Sequence, residues 1–293
     1  MNSRFLTLGL IALVATACKP PPTLTDDNDT DTSDPSTLSL AQVMPALFRD
    51  FDDNTADLPA YIDALEAGLV SQGVKLDSAN LDERSFSIDP LAESFLGGAV
   101  QPPGTNTADQ TSVVAFGLSK KDFAANKSAA MQPNQVCIES DSTVSYTRTY
   151  STDVDAFNAG TTDVARSTNE VRKELSFIAS GWYDLYKDFR TFDTTDGRHV
   201  MIARAWADKI AVADGGTNEF RQSFTCELYI EDGTTTKRMY AIWPEISIGL
   251  GPDAMRSLIT DSLDEGYKNA EAFMADSTVP DCKNDRNAVF TRE

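Results

Sequence analysis

One histidine, His199, and four cysteines are all that 293 residues provide of the commonest catalytic and metal-binding side chains. A Ser-His-Asp triad would need that single imidazole, and no G-x-S-x-G elbow stands ready for it. A multi-histidine zinc site is excluded, and the cysteines at 18, 137, 226 and 282 lack C-x-x-C spacing. Neither a P-loop nor a G-x-G-x-x-G turn occurs, so the sequence names no cofactor and no metal. Positive charge is scarce too: 25 Lys and Arg against 45 Asp and Glu give a formal charge of −20. Nucleic-acid binding rests on clustered cations, so that class of partner is excluded. His199 follows the Asp196-Gly197 turn and reads as a strand residue at the solvent edge. A glycosidase-type carboxylate pair stays open, but among so many acids nothing selects two.

No apolar run is long enough to span a bilayer. The chain opens on MNSRFLTLGLIALVATAC, where the run from Phe5 to Val14 is about half of the ~20 residues a spanning helix needs. A basic residue (Arg4), an apolar run and the small residues Ala15-Thr16-Ala17 make an export signal over residues 1–17. With Cys18 directly behind, the stretch resembles the lipobox of bacterial lipoproteins, with Ala15 where Leu is commonest. That resemblance implies acyl chains on Cys18, the new N-terminus. Two or more chains, palmitate among them, hold a protein lastingly on a membrane. Lys19, where some family members carry a retention Asp, implies the outer membrane of a bacterial envelope, on its periplasmic or its surface face. The same Ala15-Thr16-Ala17 also fits an ordinary secretory signal, which would leave Cys18 a plain thiol.

Residues 18–37 continue as KPPPTLTDDNDTDTSDPST after the cysteine, too polar to bury surface and read as a disordered acidic tether. Its span is about 25 Å at ~5–6 Å × √n. The Asp-rich run lacks the Gly and Glu of a calcium loop. Anionic lipid repels so acidic a body, so membrane contact falls to the anchor.

The rest is globular, with 41% hydrophobic residues. Over residues 38–134 helices come first. Ser39 caps a stripe of Leu40, Val43, Met44, Leu47, Phe48 and Phe51, and a second helix after Asp57 carries Leu58, Tyr61, Ile62, Leu65 and Leu69. Residues 99–110 read as an exposed loop, 112–118 as a strand, and Ser119 as the cap of a short helix to Met131. From Gln135 the period becomes two, with strands expected at 135–140, 143–150, 170–179, 181–192, 198–212, 219–231 and 237–249, parted by Gly and Asp turns. Residues 150–170 read as a weak helix or a crossing loop. After Gly251-Pro252-Asp253 one apolar face runs from Met255 to Met274. Residues 277–293 form a polar tail.

This order predicts an α+β fold: N-terminal helices packed on the main domain, an antiparallel meander of six to seven strands over 135–276, and the long last helix on the sheet's concave side. The order of elements over residues 143–276 is similar to that of START-like helix-grip domains. The resemblance implies an apolar or lipid-like ligand.

An oxidising compartment favours disulfides. With Cys18 acylated, three pairings remain open. Cys226 shares a strand face with Phe220, Phe224, Leu228 and Ile230, and so reads as buried. Cys137 faces outward with Gln135 and Glu139, which favours Cys137–Cys282.

Aromatics interleaved with Arg and Asp mark the strands: Tyr146 and Arg148 on one; Trp182, Tyr186 and Arg190 on another; then Arg204, Trp206 and Trp243. They are the candidate lining of a largely apolar ligand cavity with a few polar anchors, a guanidinium suiting an anionic head group. Cross-strand pairs that merely stabilise the sheet would look the same. Met201, Ala203, Ala205, Ala207 and Ala211 on the opposite face read first as a seat for a helix and second as space left for a ligand. The reading is a lipid-anchored envelope protein, not an enzyme, whose α+β domain binds a small amphipathic ligand or a protein partner. A structural or surface-interaction lipoprotein without a cavity is the alternative. A hydrolase or cyclase-like enzyme, with Asp184, Asp188 and Arg190 as its acids and cation, comes third.

Overall fold

The structure, a computed structural model, describes residues 23–24 and 34–275, apart from residues 55, 176–178 and 217. The export signal, Cys18, most of the tether and the tail with Cys282 lie outside the described residues. In chain order the elements are β1 (Thr23–Leu24), α1 (Leu40–Arg49), α2 (Leu58–Ser71), β2 (Ser85–Ile88), β3 (Val113–Ser119) and α3 (Phe123–Ala130). There follow β4 (Thr143–Tyr150), α4 (Val154–Asn158), β5 (Val164–Leu175), β6 (Ala179–Asp193), β7 (His199–Trp206) and β8 (Ala211–Val212). Then come β9 (Glu219–Asp232), β10 (Thr235–Ser247) and α5 (Pro252–Ala275). Among the described residues no helix is long and apolar enough to cross a membrane.

One sheet runs through the domain in the order β1-β2-β3-β10-β9-β7-β6-β5-β4, with β8 beside β9. Every pairing is antiparallel except that of two-residue β1 with β2. The α+β order expected from the sequence is therefore present, with more strands than expected. The meander is extended by the strand expected at 112–118, β3, which pairs with β10, and by β2, which was not expected and pairs with β3.

Local chemistry explains most boundaries. The Gln42 side chain accepts the Ser39 N–H at 2.9 Å, closing the start of α1. Asp57 caps α2, with Pro59 in its first turn. Asp122, not Ser119, caps α3: its carboxylate accepts the Ala125 N–H at 2.8 Å. Ser119 stays in the sheet and accepts from Asn126.

Residues 135–140 are a turn and not a strand. The Gln135 carbonyl takes the N–H groups of Ile138 and Glu139, while its side chain donates to the carbonyls of Ala129 and Gln132 around the end of α3. Alternation over so few residues cannot outweigh a helix end in need of donors. β5 starts six residues earlier than expected because its inward positions include polar Ser167 and Asn169. They are buried through bonds to the backbone carbonyls of Lys187 and Leu185 on β6.

Alternation gives the sheet two faces. On one lie α1 and α2, and Phe48, Phe51, Ile62 and Leu65 meet Phe116, Ile202, Phe224, Leu228 and Trp243 with essentially no exposed surface. Cys226 belongs to this core as expected, and burial pushes its thiol pKa up. Phe220 does not. The β9–β10 register slips between Glu245 and Ile246, a bulge that carries Phe220 to the other face, where it stacks on Tyr183 at 5.8 Å. That second face is closed at one end by α3 and α4, through Met131 and Phe157 packed on Phe189, Met201 and Ala203. Across the remainder lies α5. It buries only Met255, Ile259 and Ala270, whereas α1, less than half as long, buries six residues.

Candidate ligand cavity

Between the sheet and α5 is a cavity of about 170 Å³. Its floor comes from β4, β5, β6, β7, β9 and β10, so the sheet must curl around it. Leu258, Ile259, Ser262, Leu263, Gly266 and Tyr267 on one side of α5 form the roof, and the turn at 135–142 closes a flank. A dry apolar cavity of ~150 Å³ is large enough to hold benzene. This one is amphipathic. Val171, Leu175, Leu185, Phe220, Ile242 and Ile246 line its apolar part.

The polar part is a cluster on β6, β9 and β10. Lys187 and Glu227 form an ion pair at 2.5 Å, each side chain no more than 7% exposed. The Tyr229 hydroxyl donates to the second oxygen of Glu227 at 2.8 Å. Burial opposes both charges. Lys187 is nevertheless held above its ordinary range by Glu227, and Glu227 below the usual carboxylate range by Lys187 and Tyr229, so both are ionised near neutrality. Burial keeps Tyr183, Tyr229 and Tyr240 neutral by pushing their pKa values well up, and takes Tyr267 to about 12. Arg238 lies between the rings of Tyr229 (5.5 Å) and Tyr267 (4.8 Å). Its Nη1 is buried and meets no acceptor among the described residues.

Of the candidate lining residues taken from the sequence, Tyr146 alone faces this cavity. Arg148 shares its strand face but lies behind it as a strut, donating to the carbonyls of Ala130 (2.7 Å) and Gln132, to Asn169 and to the Tyr146 hydroxyl. Trp182, Tyr186, Arg190, Arg204, Trp206 and Trp243 project from the opposite face. Trp243 is core, Arg190 donates to the Phe51 carbonyl, and Tyr186 stacks on Trp206 near solvent. Arg204 is pinned there by Asp52, Asp188 and the carbonyls of Phe48 and Gly97.

Strand periodicity puts residues on a common face but does not say which face a helix will fill. The small residues of β7 carried the better signal: Ala205 and Ala207 leave the open floor, while Met201 and Ala203 are covered by α3 and α4. Of the residues weighed for catalysis, Asp188 is bound by Arg166 and Arg204, and Asp184 and Arg190 share its face, away from the cavity. His199 sits exposed at the start of β7, beside Asp193. Cys137 lies partly buried against Val136, Tyr146 and Val171. Its expected partner Cys282 lies outside the described residues.

No family model and no curated protein matches the chain. Among solved structures it is similar to a STAR-related lipid transfer protein from Xanthomonas axonopodis, with 9% identity and a TM-score of 0.44 over 59% of this chain and 89% of that one. It is similar also to the human StarD13 lipid transfer and protein localization domain, with 9% identity and a TM-score of 0.39 over 74% and 96%. A START superfamily protein from Mycobacterium smegmatis gives 10% identity and a TM-score of 0.34 over 56% and 97%.

Proposed function

We propose that the domain is a non-enzymatic carrier or sensor of a small amphipathic ligand, held between the sheet and α5. The observation that carries this reading is the cavity under α5, with apolar side chains along one part and the Lys187–Glu227–Tyr229–Arg238 cluster along another. A packed domain has no use for that arrangement: a void forfeits the contacts its walls would make, and the middle of α5 from Leu258 to Tyr267 covers it. The mixture of apolar wall and few polar anchors is that of small-molecule sites.

The setting we propose is a bacterial envelope. Acyl chains on Cys18 anchor the mature chain to a membrane, in our reading the outer one, and the acidic segment to residue 37 tethers the domain off the surface. A Cys137–Cys282 bridge staples the tail to the turn beside the cavity.

Organic extraction of the purified protein followed by mass spectrometry tests the carrier reading. The expected result is a co-purifying amphiphile, displaced when a competing lipid is added. An empty protein that also takes up no lipid in competition would overturn it. Metabolic labelling with an alkyne fatty acid tests the anchor, which Cys18→Ser should abolish.

A further inference from the structure

Five charged side chains line the cavity: Glu139, Lys173, Lys187, Glu227 and Arg238. Four of them cancel in pairs, Lys187 with Glu227 at 2.5 Å and Lys173 with Glu139 at 3.9 Å. Arg238 is left over. It makes no ion pair among the described residues, and its Nη1 is a buried donor with no acceptor. Glu227 attracts it through space but makes no hydrogen bond to it among the described residues: one oxygen of that carboxylate takes Lys187 and the other takes Tyr229. The neighbouring cation Arg84 is spoken for by Asp264 at 3.0 Å and the Phe116 carbonyl at 2.8 Å. A chain carrying −20 overall thus encloses a cavity with one positive charge to spare.

The surroundings keep that charge in place. Arg238 pairs across the sheet with Tyr229 on β9 and Gly117 on β3. Gly117 leaves room for Tyr267, whose ring would lie 3.4 Å from a Cβ at that position, and Tyr267 is tied down by its hydroxyl bond to the Ala115 carbonyl. Two aromatic rings therefore flank the guanidinium and hold its plane without consuming its donors. An unmade bond from a buried charged donor is costly, and an anionic ligand would remove that cost.

Building on the carrier reading, we infer that the ligand is a monoanionic amphiphile, a medium-chain carboxylic acid, whose carboxylate is held by Arg238 and whose chain lies along Val171, Leu185, Ile242 and Leu263. One excess positive charge calls for one negative charge, and a guanidinium matches a carboxylate in geometry.

Calorimetric titration of the delipidated full chain with decanoate and, separately, with decan-1-ol tests this. The expected result is a preference for decanoate of about tenfold or more, the difference a charge-assisted bond makes. Arg238→Gln should reduce that preference to about twofold or less. Equal binding of the two ligands by the wild type, or a preference that survives in Arg238→Gln, would overturn the inference and leave the carrier reading standing. Binding of neither would overturn both. If Arg238→Gln does not fold, Arg238→Lys decides: a point charge in place of the fork should weaken the preference, and an unchanged preference would refute the assignment.

Discussion

Lys237 and Arg238 are consecutive residues of β10, yet they lead opposite lives. Lys237 points toward α2, where Glu66 meets it at 2.6 Å, and Arg238 points under α5, where it makes no ion pair among the described residues. The contrast extends over the whole sheet. On the α1–α2 face the core is filled, and even the buried Arg204 has both terminal nitrogens engaged by carboxylates and carbonyls. On the α5 face space remains, alanines form part of the floor, and a cation is left spare. One face is filled, and the other keeps an open cavity.

The largest effect should come from the filled face. Phe224→Ala removes a fully buried ring between Phe48 and the sheet and should cost about 3–5 kcal/mol in denaturant unfolding. Arg204→Met strips the buried Asp188 of one of its two cations and should cost about 3 kcal/mol. Arg238→Gln should stay within about 1 kcal/mol of wild type, since no paired charge is orphaned. Comparable losses for the two arginine variants would erase the distinction between the faces.

A smaller effect appears as a pH dependence. Burial would raise the pKa of Glu66, but its bonds to Arg198 (2.8 and 2.9 Å) and Lys237 outweigh this and hold it below its usual value of 4.5. A depressed folded-state pKa adds stability that is fully present above 4.5 and is lost as the pH falls through the lower folded value. Glu66→Gln should therefore lose about 1 kcal/mol at pH 7 and show a shallower decline on acidification, measured by urea midpoints from neutral pH downward. A variant that declines as steeply as wild type would show that this contact contributes nothing. The least effect on stability belongs to the cavity floor. Ala205→Leu should alter stability by about 1 kcal/mol or less, because the added methyls enter open space, yet weaken ligand uptake about tenfold or more. A large loss of stability would mean that the space is already filled.

Much of the fold could be read from residues alone. Apolar stripes placed α1, α2 and α5, and alternation placed β4, β6, β9 and β10 to within a few residues. The misreadings share a cause, which is that polar groups can be satisfied in ways that local pattern does not show. Ser167 and Asn169 hid the first half of β5 by being polar, buried and bonded to β6. Gln135 turned a strand-like segment into the cap of α3. The site was less legible. Tyr146 faces the cavity, but the conspicuous Trp, Tyr and Arg of β6 and β7 face α1 or solvent, because choosing between two faces depends on which helix fills which. Arg238, Tyr229 and Glu227 carry no motif. The excess of charge under α5 exists only once the strands are paired.

The difference between the faces is tested most directly by methyl NMR during titration with decanoate. The account predicts shifts at Val171, Leu258, Ile259 and Leu263, which surround the cavity, and none at Leu47, Leu65 or Ile202 in the filled core. Shifts centred on the α1–α2 face, or no saturable shifts at all, would contradict it.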